Sequence, residues 1–147
     1  MVTRSHALKH NSSEQAPFQS SIRDFANLTG ISILYVEDDD DLRTITIKIL
    51  RRRGAEVLEA RSASQALALQ QTGRRFDILL TDQDLDDELS GVDLARHFCS
   101  ICPQLKVVVV SGLVDEVLRG RMDSCWQALQ KPVSGDTLVS SLMLFKE

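Results

Sequence analysis

A chain of 147 residues, 43% hydrophobic and 26% charged, has the size and make-up of one globular domain with a single core. Its net charge of −4 and pI near 5.4 argue against a nucleic-acid-binding face covering most of the surface, and no stretch approaches the roughly 20 apolar residues that cross a bilayer. Three cysteines make no disulfide framework and no apolar run follows the basic residues at 1–9, so a secretory signal is not expected and the cytoplasm is the expected compartment.

The first 30 residues read as an N-terminal extension. They are polar up to Gln19, which predicts a flexible tail, and Phe18, Ile22, Phe25 and Leu28 then recur at helical spacing, which predicts a short amphipathic helix over 18–29. That stripe could pack on the domain, attach a neighbouring segment or make a homodimer contact. From Ile31 to the end, apolar runs alternate with helix-period segments, and 31–147 reads as one domain. Residues 31–36 predict a first strand. Leu42, Ile45, Ile49 and Leu50 stripe a helix stopped by Gly54, with Arg51, Arg52 and Arg53 as cations at its C-terminus rather than nucleic-acid contacts. Residues 56–59 predict a mixed strand suited to a sheet edge, 63–72 a second helix and 76–81 a nearly all-apolar third strand.

Val92, Ala95, Phe98, Cys99 and Cys102 stripe a third helix halted by Pro103. Cys99 and Cys102 read as small buried hydrophobes, since no second pair or histidine set accompanies them to make a redox or zinc site. Residues 106–110, Lys106 followed by four valines, lack polar alternation, which predicts a strand covered on both faces. Residues 114–123 predict a fourth helix, 126–130 a fifth strand, and 134–145 a last helix with Leu138, Leu142 and Phe145 inward. Five alternating β and α units predict a doubly wound α/β sandwich, whose reactive groups gather at the carboxyl ends of the strands.

Those ends carry Glu37-Asp38 followed by Asp39, Asp40 and Asp41, then Asp82, then Ser111-Gly112, then Lys131-Pro132. Acids at loop starts often cap helices, and Asp39 to Asp41 suit that role. Carboxylates crowded together repel one another and need a neutralising partner. A divalent cation is such a partner, and an all-oxygen set suits Mg²⁺. An Asp beside that metal, with a lysine and a hydroxyl to hold the phosphoryl oxygens, is equipped to form an aspartyl phosphate.

This set resembles the receiver domains of two-component response regulators, over essentially all of residues 31–147. The resemblance rests on Ile33 to Asp39, on Asp77 to Asp82, on Ser111-Gly112 and on Lys131-Pro132, all in order. It implies a flavodoxin-like five-stranded parallel sheet of order 2-1-3-4-5 with five flanking helices. It also implies Mg²⁺, with Mn²⁺ as an alternative, held by Glu37, Asp38, Asp82 and the backbone carbonyl of Asp84. By the same resemblance Asp82 is the phosphoacceptor, Ser111 and Lys131 hold the phosphoryl group, Gly112 leaves the pocket open, and the Lys131-Pro132 bond is cis. The implied partners are a histidine kinase or a histidine phosphotransfer protein, with an unspecified protein downstream and no direct nucleic-acid contact. Such a domain is a phosphoacceptor rather than an enzyme.

The chain departs from the family in two places. Asp86 stands where a proline is usual, in a loop one residue longer before Gly91 than in many members; that spacing, with Ser111-Gly112, looks like receivers of hybrid histidine kinases. Asp84, Asp86, Asp87 and Glu88 make this loop unusually acidic, a charge that could tighten metal binding or alter phosphoryl lifetime, but Asp86, Asp87 and Glu88 are read as a solvated acidic turn. Ala128 stands where many members place Tyr or Phe, and Trp126 shares its strand facing. Two other readings remain at this point: a degenerate receiver acting by contact without phosphorylation, and a haloacid dehalogenase-type phosphatase using Asp82-Gln83-Asp84. The second requires an acidic pair after Lys131, and none suited to the role stands there.

Overall fold

The computed structural model describes residues 27–146, so all but the last few residues of the expected 18–29 helix lie outside the described residues. The described chain runs β1 (Ser32–Val36), α1 (Asp40–Arg52), β2 (Glu56–Ala60), α2 (Ala63–Gln71), β3 (Ile78–Asp82), α3 (Gly91–Ile101), β4 (Lys106–Ser111), α4 (Glu116–Arg121), β5 (Gln127–Gln130) and α5 (Gly135–Met143). All neighbouring strands pair in parallel, in the order β2-β1-β3-β4-β5. This is the doubly wound sheet that the resemblance implies. Its strand order reverses between β1 and β3, and the crevice above that point is where such sheets place ligands.

Period-two alternation divides the sheet's side chains between two cores. Ile33, Tyr35, Ile78, Leu80 and Val108 meet α1 and α5 on one face. Leu34, Val36, Leu79, Val107 and Val109 meet α2, α3 and α4 on the other. The central strands are therefore apolar between their ends, whereas edge strand β2 carries Glu56 and Glu59 and edge strand β5 carries Gln127 and Gln130. Side chains of Asp39, Ser62, Ser90, Asp115 and Ser134 cap the five helices, each accepting a backbone N–H of the first turn. A cap of this kind contributes about 1 kcal/mol. Gly54 closes α1 at φ 98°, a left-handed conformation that favours glycine.

Two expectations change. The inward face of α1 is Arg43, Thr46, Ile47 and Leu50, while Leu42 and Ile45 are 38% and 57% exposed. Arg43 and Thr46 turn inward because polar partners await them at the end of β1, which an apolar stripe alone does not reveal. The fourth helix spans 6 residues rather than the expected 114–123, because Asp115 caps it late and Met122 leaves the helical conformation. Val114 instead donates its N–H to Gln130 Oε1 at 3.1 Å.

Candidate metal centre at the strand ends

The parallel register carries the ends of β1, β3, β4 and β5 to one rim. Glu37 is 3% exposed, held there by its N–H on Ala60 O at 3.0 Å, and its Oε2 accepts the Asp39 N–H at 3.2 Å. One carboxylate oxygen from each of Glu37, Asp38 and Asp82 falls within a 4.8 Å cluster. Lys131 Nζ donates to Asp82 Oδ2 at 3.0 Å and lies 3.8 Å from Glu37 Oε1. The Lys131 N–H in turn sits on Ser111 O at 2.8 Å, and the Lys131–Pro132 bond is cis.

Asp84 is exposed beside this cluster, its N–H donating to Asp82 Oδ1 at 3.3 Å. Ser111 is buried, but its hydroxyl is turned onto its own loop: Oγ donates to Leu113 O at 3.1 Å and accepts the Leu113 N–H at 3.3 Å. A Cβ built on Gly112 meets nothing within 4 Å, so Gly112 lies against open space. A cavity of about 420 Å³ opens beside Asp82 and Lys131, walled by Leu42, Leu80, Val110 and Leu138.

Burial raises the Glu37 carboxyl to about 7, and the neighbouring Asp82 charge adds to that, against the Asp39 N–H and Lys131. Burial also works against the Lys131 ammonium, but the hydrogen bond to Asp82 and the charges of Asp82, Glu37 and Asp38 outweigh it and raise its pKa. A carboxyl raised on folding binds its proton more tightly in the native state, so its contribution to stability is complete below its ordinary 4.5 and is lost as pH rises through about 7. The urea midpoint of the metal-free domain is therefore expected to fall between those pH values, by an amount worth on the order of 1–2 kcal/mol. Glu37→Gln should flatten that slope; a slope unchanged in the variant would assign it to another group.

Two contributors, Arg43 and Gln83, lie outside the residues expected at the site, and Asp87 of the acidic loop is a third with contacts of its own. Arg43 is buried behind the acidic pair, donating to Glu37 O at 2.8 Å, Asp40 Oδ1 at 2.6 Å and Glu59 Oε1 at 3.1 Å. The only signal of it in the sequence is a charge on the helix face that has to meet the sheet. Gln83, also buried, closes the β3–α3 loop, its O accepting the Gly91 N–H at 3.0 Å and its Oε1 the Val92 N–H at 2.9 Å. Asp87 is exposed, as the solvated-turn reading has it, but it is also tied: its Oδ2 accepts both the N–H and the hydroxyl of Ser64, each at 3.0 Å. Asp86 and Glu88 are exposed as well.

Ala128 pairs with Val109, and Trp126 packs on the same core as Val109, so the two share a facing as expected. Cys99 and Cys102 are half-buried against that core as well. Among the described residues, no helix is long and apolar enough to cross a membrane.

The chain is similar in sequence and fold to known proteins. The response regulator receiver domain family profile matches residues 33–143. The sensor protein TorS of Escherichia coli is 33% identical over 84% of this chain, which spans 14% of TorS. The response regulator receiver protein CpdR of Brucella abortus is 32% identical over 75% of this chain and 92% of its own length. Among solved structures, the receiver domain of the hybrid histidine kinase CckA superposes with a TM-score of 0.68 at 26% identity, over 79% of this chain and 99% of that domain.

Proposed function

Because the chain belongs to the response regulator receiver domain family, we propose that it takes a phosphoryl group from a phosphohistidine onto Asp82 with Mg²⁺ at Glu37, Asp38 and Asp82. The observation that carries this reading is the ion pair of Lys131 with Asp82 at 3.0 Å inside a three-carboxylate cluster. The cluster fits the metal: its donors are all oxygen, crowded and partly desolvated, which is the environment of a hard divalent cation, and Mn²⁺ would serve in its place. The Asp84 carbonyl, two residues from Asp82, is the proposed backbone ligand. Bound there, the cation neutralises the carboxylates and the phosphoryl oxygens.

An Asp82 oxygen attacks phosphorus in line with the departing imidazole nitrogen. The P–N bond breaks, its electron pair returns to the imidazole, and an acyl phosphate forms on Asp82. Lys131 stays within reach of an equatorial oxygen and offsets the charge gathering there. Ser111 releases Leu113 and donates its hydroxyl to the phosphoryl group, which moves the β4–α4 loop. Phosphorylation thus redistributes population between two loop packings of one fold.

The donor is a histidine kinase or a histidine phosphotransfer protein. Leu42 walls the cavity beside Asp82, and Ile45, three residues on along α1, is exposed, so an apolar edge lies next to the reacting carboxylate. Transfer from a phosphohistidine domain is expected to slow roughly tenfold or more in Ile45→Asp, because a charge in an apolar contact costs about 1–3 kcal/mol. Labelling by acetyl phosphate, which needs no docking face, should be unchanged in that variant. The reading itself is tested by intact mass after incubation with acetyl phosphate and Mg²⁺. A gain of one phosphoryl group, absent with a chelator, supports it; no gain by the folded protein from either acetyl phosphate or a phosphohistidine domain overturns it.

A further inference from the structure

The β3–α3 loop carries the Asp84 carbonyl, yet residues 83–90 contain neither proline nor glycine, and the chain between Gln83 and Gly91 needs an anchor if Asp84 is to keep one position. Both loop ends are tied at Gln83, as above, and Leu85 and Leu89 pack partly against the second core. The middle is tied by Asp87. Its Oδ2 receives two hydrogen bonds from Ser64, its Oδ1 receives the Glu88 N–H at 2.6 Å, and its own N–H donates to Leu85 O at 2.8 Å.

The choice of Ser64 has a physical reason. It lies in the first turn of α2, where backbone N–H groups lack intrahelical acceptors, and the Ser62 cap serves only the Gln65 N–H. A carboxylate arriving there from a different loop satisfies a second N–H and meets the positive end of the helix dipole. The Asp87 pKa is lowered accordingly, first by the Glu88 N–H and then by the N–H and hydroxyl of Ser64. The contact joins segments 23 residues apart and fastens a mobile type of element, a loop, to a rigid one.

We propose that Asp87 is a positioning residue: by fastening the β3–α3 loop to the N-terminus of α2, it holds the Asp84 carbonyl where the metal site requires it. This rests on the Mg²⁺ reading of the site. Asp87 does not touch the carboxylate cluster itself; its influence passes through Leu85 and Asp86, the two residues that separate it from Asp84.

The test is calorimetric titration of Mg²⁺ into the full chain, with hydrogen exchange followed on peptides covering the loop and the start of α2. Asp87→Ala is expected to weaken Mg²⁺ binding about threefold to tenfold and to speed exchange in both segments. Asp87→Asn keeps an acceptor for Ser64 but loses the charge, so it should recover much of the affinity; Ser64→Ala, which removes one of the bonds, should fall between wild type and Asp87→Ala. Unchanged affinity in Asp87→Ala overturns the proposal, and so does an Asp87→Asn protein as weak as Asp87→Ala, which would point to the charge alone. Wild-type protein with no Mg²⁺ affinity would instead overturn the reading of the site on which the proposal stands.

Discussion

Lys131→Ala is expected to slow phosphorylation of Asp82 by about 100-fold or more, a loss of roughly 3 kcal/mol of transition-state stabilisation. Among the described residues, Lys131 is the one lysine or arginine in an ion pair with Glu37 or Asp82, at 3.8 Å and 3.0 Å. Its position is determined by the backbone, since its N–H on Ser111 O fastens the end of β5 to the end of β4. Without the ammonium, charge arriving on the phosphoryl oxygens lacks a partner on that side, and two buried carboxylates lose the cation nearest them. Lys131→Arg should not restore the rate, because a planar fork on a longer stem does not reproduce a compact charge at that distance. The check is the rate of mass gain from acetyl phosphate at saturating Mg²⁺, with circular dichroism on the same samples. A rate within about threefold of wild type would remove Lys131 from the mechanism.

Gly91→Ala is the second substitution with a large expected effect. A Cβ there would lie 2.2 Å from Asp82 O and 2.9 Å from both Asp82 C and Gln83 Cα, distances that only movement of the backbone relieves. Gly91 is the first residue of α3, and its N–H is bound to Gln83 O, so the methyl group would push the helix start off the strand end that carries Asp82. The expected cost is about 2–4 kcal/mol of stability. It should appear as a lower urea midpoint and, because Asp82 and Asp84 flank the displaced segment, as weaker Mg²⁺ binding. An unchanged midpoint would mean that the loop absorbs the methyl group by moving elsewhere.

How much of this the sequence discloses depends on how local the cause is. β1, β3 and β4 are legible because strands covered on both faces carry uninterrupted apolar runs. The strand ends are legible because parallel topology sends each of them to the same rim, so motifs far apart in sequence converge without any contact having to be guessed. The inward face of α1 is not legible from apolar spacing, because Arg43 and Thr46 occupy it. Arg43 is satisfied there by Glu59, 16 residues away, and by the Glu37 carbonyl. The tie of Asp87 to Ser64 is hidden for the same reason: the string Asp86-Asp87-Glu88 shows an exposed acidic turn, and the partner that donates to Asp87 stands at the start of α2, 23 residues away. Ser111 is found at its expected strand end, but the orientation of its hydroxyl toward Leu113 belongs to the loop conformation, which no residue pattern encodes.

Everything proposed for the site depends on which atom receives the phosphoryl group. An acyl phosphate, unlike a phosphate ester or a phosphoramidate, is reduced by borohydride to an alcohol, which would convert Asp82 to homoserine. The most direct measurement is therefore peptide mass spectrometry of the protein reduced with borohydride after phosphorylation in the presence of Mg²⁺. Homoserine is expected at position 82 and nowhere else, with none formed when Mg²⁺ is withheld. Homoserine at Asp38 or Asp84, or a phosphorylated protein that yields no homoserine at all, would contradict it.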